Sequence, residues 1–295
     1  MKTSTSKRLR WNVAIWLAAG LFMTSTAGMA SGPIMPDPKA EARHQPQVEE
    51  TANGIPLVNI TAPSSGGVSR NEYETFNVPD KGAILNNSYT LSKTELAGYV
   101  QGNNNMAERP AKIIVNEVTG AGSTSMDGFL EVAGNRADVV IANPNGITVN
   151  GGGFINTGKA FLTTGKPVYD GEDHLQRFDI TGGDILIEGK GLGGKETESL
   201  AILSRAVKIN AGIWAKDLHI TTGANTVDAK TLEASAIEGK GGRPAFALDT
   251  AAIGGMYAGR ITLVGTEKGL GVNNSGTWSA EDNLTLDWNG DLKNS

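Results

Sequence analysis

Short apolar runs that end in turn residues are the feature that most constrains what this chain can fold into. Each run has the length of a β-strand, and almost none reaches the ten or more residues that a helix requires. The runs occupy residues 55–60, 83–87, 112–118, 129–132, 137–143, 184–189, 207–210, 217–220, 260–266 and 283–288. Two further segments, 199–207 and 228–238, also fit one or two helical turns, and the second is expected to be an excursion. The pattern predicts an all-β protein.

The spacing between similar runs separates the all-β architectures. Ile261 and Leu284 lie 23 residues apart in two runs of similar sequence, and Ile185 and Ile209 lie 24 apart. A repeat of this length, made of short strands with Gly and Asn corners, fits a parallel β-helix in which stacked coils share one core. A sandwich or an up-and-down barrel favours hairpins between longer strands. We therefore predict a parallel β-helix, or solenoid.

Composition supports a turn-rich protein and argues against several classes of partner. The chain has 39 Gly among 295 residues, about twice the average of 7%. Its net charge is −5 with scattered Lys and Arg, so no basic patch marks a nucleic-acid or acidic-lipid surface. It has no Cys, so its stability has to come from burial and hydrogen bonding.

The first thirty residues have the three parts of a secretory signal peptide. Basic residues up to Arg10 precede an apolar run at 13–23, and small residues lead to a cleavage site after Ala30. The apolar run is too short for a permanent membrane anchor. Residues 31–52 carry four Pro and many polar residues and are expected to form a flexible leader without core positions.

The sequence NPNGI at 143–147 is typical of a β-turn. Asn143 suits the first position of a type I turn, Pro144 presets φ at the second, and Gly146 relieves crowding at the fourth. Asn145 tolerates the conformation that the third position requires, and Ile147 then points towards a core. These residues need no chemistry to explain them.

An enzyme is the alternative that a parallel β-helix raises, because this fold also occurs in polysaccharide-cleaving proteins. The candidate carboxylates are Asp184 with Glu188, and the group Asp170, Glu172 and Asp173. They fall in turns or at strand ends, where solvated acids are ordinary. The His residues at positions 44, 174 and 219 lack the spacing of a metal site. We expect no catalytic residue, no cofactor and no metal.

Several uncommon blocks resemble the secretion domain of filamentous haemagglutinin, a family that includes the CdiA-type contact-dependent inhibition proteins. They lie in order at residues 67–78, 82–88, 113–120, 128–157, 162–167, 199–218 and 253–277. The resemblance covers residues 53–277 and implies a two-partner secretion (TPS) domain that folds as a right-handed parallel β-helix with N-terminal capping strands and small excursions. Residues 278–295 would begin further β-helical repeats of a longer exoprotein, here truncated.

The resemblance also implies partners. A TPS domain is exported by Sec and recognised by an outer-membrane β-barrel transporter with POTRA domains, and it leads an adhesin, haemolysin or toxin whose missing regions would bind a host or neighbouring cell. A stand-alone adhesin or carbohydrate-binding protein is the alternative, and a polysaccharide-cleaving enzyme is a third.

Two Asn-rich motifs of the family, NPNL and NPNGI, carry the expected recognition and turn residues. The second is intact at Asn143, Pro144, Asn145, Gly146 and Ile147, whereas the first corresponds to Asn103, Asn104, Asn105 and Met106. Asn104 replaces the usual Pro, which removes a fixed backbone angle, and Met106 replaces Leu with an apolar side chain of similar volume. The pairs Asn86-Asn87 and Asn273-Asn274 are expected to be structural, because buried turns need side-chain amides to satisfy backbone groups.

Overall fold

The computed structural model describes residues 32–107 and 109–295, so the signal peptide predicted at 1–30 lies outside the described residues. Over these ranges the chain forms β-strands with short 3-10 turns at Ala42–His44 and Asn104–Met106. In the same part of the chain, no helix is long and apolar enough to cross a membrane.

The strands wind into coils, and each full coil contributes one strand to each of three sides. The first side contains β5 (Ala83–Asn87), β10 (Phe129–Gly134), β13 (Gly152–Ile155) and β18 (Leu192–Gly194). The second contains β4 (Val68–Phe76), β8 (Ile113–Val118), β11 (Ala137–Ala142), β14 (Thr157–Thr163) and β19 (Ser199–Ser204). The third contains β9 (Thr124–Met126), β12 (Ile147–Val149), β17 (Asp184–Ile187), β20 (Ala206–Ile209), β24 (Leu248–Thr250), β26 (Val272–Asn274) and β28 (Leu292–Asn294).

Three long strands join the first two sides in the later coils. They are β21 (Gly212–Thr222), β25 (Gly255–Gly265) and β27 (Thr277–Trp288). The first half of β21 pairs with β18 and its second half pairs with β19, both in parallel. The first two sides therefore belong to one continuous 15-stranded sheet, while the third side is a separate parallel sheet of seven strands.

Apolar side chains stack in rows because neighbouring strands pair in register. One row on the second side consists of Ile141, Leu162, Ile202, Ile220 and Leu263, and each member is fully buried. A row on the third side consists of Ile147, Ile185, Val207, Leu248 and Val272. These rows form one core that runs through the coils. The predicted parallel β-helix is confirmed.

The structure corrects one of the two spacings from which the repeat was inferred. Ile261 pairs directly with Leu284, as the 23-residue spacing required. Ile185, however, pairs with Val207, and Ile209 pairs with Ile187. Both alternatives place an apolar residue inside the core, because a shift of two residues keeps a side chain on the same face of a strand. The hydrophobic pattern alone therefore could not choose between the two registers.

The segment expected to be a flexible leader is folded, so that prediction is wrong for its described residues. Strand β1 (Ile34–Pro36) pairs antiparallel with β4, and β2 (Gln47–Glu50) pairs antiparallel with β3 (Pro56–Asn59). Ile34 is buried in the main core. Proline and polar composition suggested disorder, but the edges of the first coil supply the hydrogen bonds that so polar a segment could not make by itself.

Short strands also leave the main body as excursions. Strands β15 (Lys166–Tyr169), β16 (Leu175–Ile180), β22 (Asn225–Asp228) and β23 (Ala234–Ala236) form an antiparallel sheet, and β6 (Ser92–Thr94) and β7 (Gly98–Val100) form a hairpin. The two segments with alternative helical spacing are therefore strands and turns. Residues 199–207 cover β19 and the start of β20, and residues 228–238 cover a turn and β23.

A stacked leucine should contribute far more stability than a leucine of the same row at its exposed end. Leu162 is fully buried, whereas Leu286, which pairs with Leu263, is 39% exposed. We expect Leu162→Ala to lower the free energy of unfolding by about 2–5 kcal/mol, because it leaves a cavity between two coils. Leu286→Ala should cost less than about 1.5 kcal/mol. Urea denaturation measures both, and equal losses would contradict the stacked core.

Candidate functional site

The NPNGI segment closes a β-turn between β11 and β12. The backbone N–H of Gly146 donates to the carbonyl of Asn143 at 3.1 Å, which is the bond between the first and fourth residues of such a turn. Gly146 has a φ of +111°, a conformation that favours glycine. Pro144 and Asn145 are exposed at the tip, while Ile147 is buried in the core.

Asn143 fastens this turn from within. Its side chain is fully buried, and its Oδ1 accepts the backbone N–H of Asn145 at 2.9 Å. Its Nδ2 donates to the Gly122 carbonyl at 2.9 Å and to Thr124 Oγ1 at 3.0 Å. Every polar atom of the amide is thus engaged, and two of the bonds reach the preceding coil.

Asn145 adds a second link to the same coil. Its Nδ2 donates to the carbonyl of Gly120 at 2.8 Å. The corner therefore rests on residues 120–124, which come earlier in the chain. A single amide on the exposed side and a buried amide on the inner side hold the turn in place.

The NNNM segment has the same construction, although its second residue differs. The Met106 N–H donates to the Asn103 carbonyl at 3.1 Å, and Asn103 Oδ1 accepts the N–H of Asn105 at 3.0 Å. Asn103 Nδ2 donates to the carbonyls of Ile60 and Asn86 at 2.8 and 2.9 Å.

The remaining residues of this segment occupy positions like those of NPNGI. Asn105 Nδ2 donates to the Ile60 carbonyl at 3.1 Å, and Met106 is buried in the core. Asn104 is exposed at the position that Pro144 occupies in the other turn. The turn thus closes without proline, because the Asn103 side chain supplies the bond that orders it.

The two turns lie on different coils. NPNGI binds residues 120–124, whereas NNNM binds Ile60 and Asn86. They are therefore two separate corners of the solenoid with one design, in which the Asn at the first position is buried and the Asn at the third position bonds to an earlier coil.

The other Asn pairs also bridge coils. Asn87 Oδ1 accepts the Ala111 N–H at 2.7 Å, and its Nδ2 donates to the Ala111 and Asn135 carbonyls at 2.9 Å each. Asn274 Nδ2 donates to Asn294 Oδ1 at 2.7 Å in the next coil. The Asn87 amide satisfies buried backbone groups, as the structural interpretation expected, whereas this Asn274 bond joins two side chains of neighbouring coils.

Asp170, one of the carboxylates considered as a catalytic group, instead holds the loop that follows it. Asp170 Oδ1 accepts the backbone N–H groups of Glu172 and His174 at 2.9 and 3.0 Å, and these bonds lower the pKa of Asp170. Asp184, at the start of β17, is exposed. His219 Nε2 lies 2.8 Å from Thr221 Oγ1, and burial lowers the pKa of this His. In the described residues, no three His, Asp or Glu side chains converge as metal ligands.

An acid–base cluster that the sequence analysis missed joins the N-terminal segment to the loop between β15 and β16. It consists of His44, Arg70, Glu72, Glu117 and Asp173. Arg70 Nη2 lies 2.8 Å from Glu72 Oε1 and 3.6 Å from Glu117 Oε2, and His44 Nδ1 lies 3.1 Å from Glu72 Oε1. Side chains alternate between the two faces of a strand, so Arg70 and Glu72 of β4 lie on one face. This alternation is the sequence feature from which the pair could have been predicted.

The surroundings of Glu117 disfavour its charge. Its side chain is almost fully buried, and burial raises the pKa of the carboxyl from its ordinary value of 4.5 to about 7, although Arg70 acts in the opposite direction. The Arg70 guanidinium also lies 4.4 Å from the centre of the Tyr169 ring. Through Arg70, the cluster thus connects β4, β8 and the excursion that contains β15 and β16.

Comparisons with known proteins place this geometry in a family. The family model described as "TPS secretion domain" matches residues 33–294. "Toxin CdiA" of Yersinia pestis is 47% identical over 249 residues, which are 84% of this chain and 8% of the relative. "16S rRNA endonuclease CdiA" of Enterobacter cloacae is 46% identical over 249 residues, or 83% of this chain and 8% of the relative. The chain therefore spans about a twelfth of these curated relatives.

A solved structure agrees with the fold as well. The "crystal structure of filamentous hemagglutinin secretion domain" superposes with a TM-score of 0.73 at 29% sequence identity, and the match covers 90% of this chain and 100% of that one. The matched domain is a secretion module and not an enzyme. The nuclease names belong to proteins of which this chain matches a small part.

Removing the buried amide of Asn143 should destabilise the protein far more than removing the exposed amide of Asn145. Asn143→Ala leaves the Gly122 carbonyl, the Thr124 hydroxyl and the Asn145 N–H without their partner. We expect a loss of about 2–3 kcal/mol of unfolding free energy. Asn145→Ala should cost less than about 1 kcal/mol, because water can reach its partner. Chemical denaturation compares the two variants, and a larger loss for Asn145→Ala would contradict the assignment.

Glu117 should make the protein less stable as the pH rises. Between pH 4.5 and about 7 the unfolded chain releases the Glu117 proton while the folded chain keeps it. This contribution is therefore complete below pH 4.5 and is lost as pH rises through 7, by on the order of 3 kcal/mol. Glu117→Gln should reduce the difference in unfolding free energy between pH 5 and pH 8. Glu172→Gln, at an exposed carboxylate, should leave that difference unchanged. An unchanged slope in the first variant would refute the shift.

Proposed function

Because this chain belongs to the family of TPS secretion domains, we propose that it is the part of a Gram-negative exoprotein that an outer-membrane β-barrel transporter recognises through periplasmic POTRA domains. The observation that carries this proposal is the family match over residues 33–294 together with the β-helix shared with a filamentous haemagglutinin secretion domain. The domain itself is a secretion module of CdiA- and haemagglutinin-type proteins.

The route and the destination follow from the same premise. The signal predicted at 1–30 directs the chain through Sec into the periplasm, and the transporter then moves it to the cell surface or the medium. The domain leads a longer exoprotein, because the matched relatives are about twelve times as long as the matched segment. Adhesion, haemolysis or toxin delivery would be carried by other regions of that exoprotein.

Recognition precedes folding in this proposal. An extended segment adds as a strand to an exposed sheet edge of the POTRA domains, where main-chain hydrogen bonds give affinity and alternate side chains give register. In the unfolded chain, the amides of Asn103 and Asn143 are free for a partner. In the folded chain they are buried in their turns, so folding withdraws the signal and releases the transporter.

The direction of the turn contacts suits export from the N-terminus. The side chains of both turns donate to carbonyls of earlier residues, namely Ile60 and Asn86 for one turn and Gly120 and Gly122 for the other. Each corner can therefore close as soon as it emerges, because its partners are already outside. Coils that add one to the next bias transport outward without nucleotide hydrolysis.

Export of the full chain tests the proposal, with a variant that separates recognition from stability. We expect accumulation in the medium only when the cognate transporter is present. Asn143→Ala combined with Asn145→Ala should leave the chain in the periplasm, because the transporter no longer engages the motif. Immunoblots of medium and periplasm, with a periplasmic marker as leakage control, measure both.

Leu162→Ala is the matched control. It destabilises the folded core as the Asn double variant does, but it does not alter either motif. If Leu162→Ala is exported normally, retention of the Asn variant reports recognition. If both variants are retained equally, loss of stability explains the defect and the recognition role is wrong. Export of the unaltered chain without the transporter would overturn the proposed function as a whole.

A further inference from the structure

The first side of the solenoid carries an outward row in which aromatic residues flank two glycines. Phe129 pairs with Gly153, Gly153 with Gly193, Gly193 with Trp214, and Trp214 with Tyr257. Neighbouring positions in such a row are about 5 Å apart. The sheet thus has an aromatic side chain on either side of a short glycine floor.

Two of the rings pack over glycine backbone, the Phe129 ring over Gly153 of the same row and the Trp214 ring over Gly212. A Cβ added at Gly153 would lie 2.4 Å from Phe129 Cε1, and one added at Gly212 would lie 2.5 Å from the Trp214 ring. Tyr257 stacks on Trp214 with ring centres 6.2 Å apart and planes inclined by 15°. Glycine is required at these positions because the rings occupy the space above the backbone.

Gly193 differs from its neighbours. A Cβ added there would meet no atom closer than 3.7 Å, and its φ lies outside the left-handed region. Neither crowding nor backbone conformation therefore requires glycine at this position. Because Gly193 has no side chain, the space above it remains part of a cleft of about 330 Å³ between Phe129 and Trp214.

The rim of the cleft adds polar groups of both signs. Lys195 and Glu196 line it and are exposed, and neither belongs to an ion pair within residues 32–107 and 109–295. They offer a hydrogen-bond donor and an acceptor without net charge. Phe129, which is 42% exposed, presents its apolar ring to the same space.

We propose that this cleft binds a neutral hexopyranose ring of a glycan. A sugar ring has a flat C–H face that packs on an aromatic ring and hydroxyls that bond a polar rim. The cleft volume lies in the range of small-ligand sites, about 300–1,000 Å³. A neutral ligand matches the balanced charges of Lys195 and Glu196.

An extended peptide fits this surface less well. Strand addition needs free backbone N–H and C=O groups. Strand β18, which forms the floor, is paired with β13 on one side and with β21 on the other. The face therefore offers side chains and not a strand edge, so recognition has to come from ring packing and hydroxyl bonds.

Ligand-observed saturation-transfer NMR on the full chain tests the site. The probes are methyl β-D-glucopyranoside and methyl β-D-galactopyranoside, with glucuronate as the charged comparison and a proline-rich decapeptide as the peptide comparison. We expect at least one neutral glycoside to bind with a dissociation constant of about 1–10 mM. Glucuronate and the peptide should bind at least tenfold more weakly.

Gly193→Val fills the floor and should weaken glycoside binding at least tenfold while the urea midpoint stays unchanged. Gly171→Val, at a glycine outside the cleft whose Cβ would meet no atom within 4 Å, is the matched control and should bind normally. Phe129→Leu removes one aromatic wall and provides an independent test should Gly193→Val fold poorly. Absence of glycoside binding, unaltered binding in both cleft variants, or preferential peptide binding would each overturn the proposal.

Discussion

In-register pairing between successive coils is the interaction on which the rest of the structure depends. Each strand of a coil finds its backbone partners in the coil before and the coil after, so apolar residues stack into rows such as Ile141, Leu162 and Ile202. A solenoid of this kind has two ends where pairing stops. At the first end, β1 and β2 add antiparallel strands. On the last coil of the described residues, Leu284, Leu286 and Leu292 are exposed, because β27 and β28 have a neighbour on one side.

The corners between stacked strands contain backbone polar groups that asparagine side chains satisfy. The chain must turn between sides, and each turn leaves backbone groups that the sheets cannot pair. Asn103 and Asn143 satisfy them from inside, with one amide that bonds within the turn and to an earlier coil. Those bonds point back along the chain, so each corner finds its partners among residues that precede it. In the proposed function the same residues are a signal before folding and a corner after it.

Two other features depend on residues far apart in sequence. The acid–base cluster brings His44 and Arg70 beside Asp173 across an excursion, and Glu117 enters from the neighbouring strand. The aromatic cleft combines Phe129 with Trp214 across three strand spacings. Neither arrangement corresponds to a short motif that could be recognised in the sequence. Strand periodicity could have placed Arg70 and Glu72 on one face, but only the coil register brings their partners to them.

The sequence by itself determined the all-β solenoid, the corner at Asn143 and the membership of a secretion family, because strand periodicity, turn chemistry and family motifs are local and can be read along the chain. The tertiary structure decided the register of each coil, since Ile185 could have paired with either of two apolar residues. It also decided that the proline-rich residues after Gly32 are folded, because their hydrogen bonds come from the edges of another coil. Pairing between coils is a long-range choice, so what depended on it, including the cleft above Gly193, required the folded molecule.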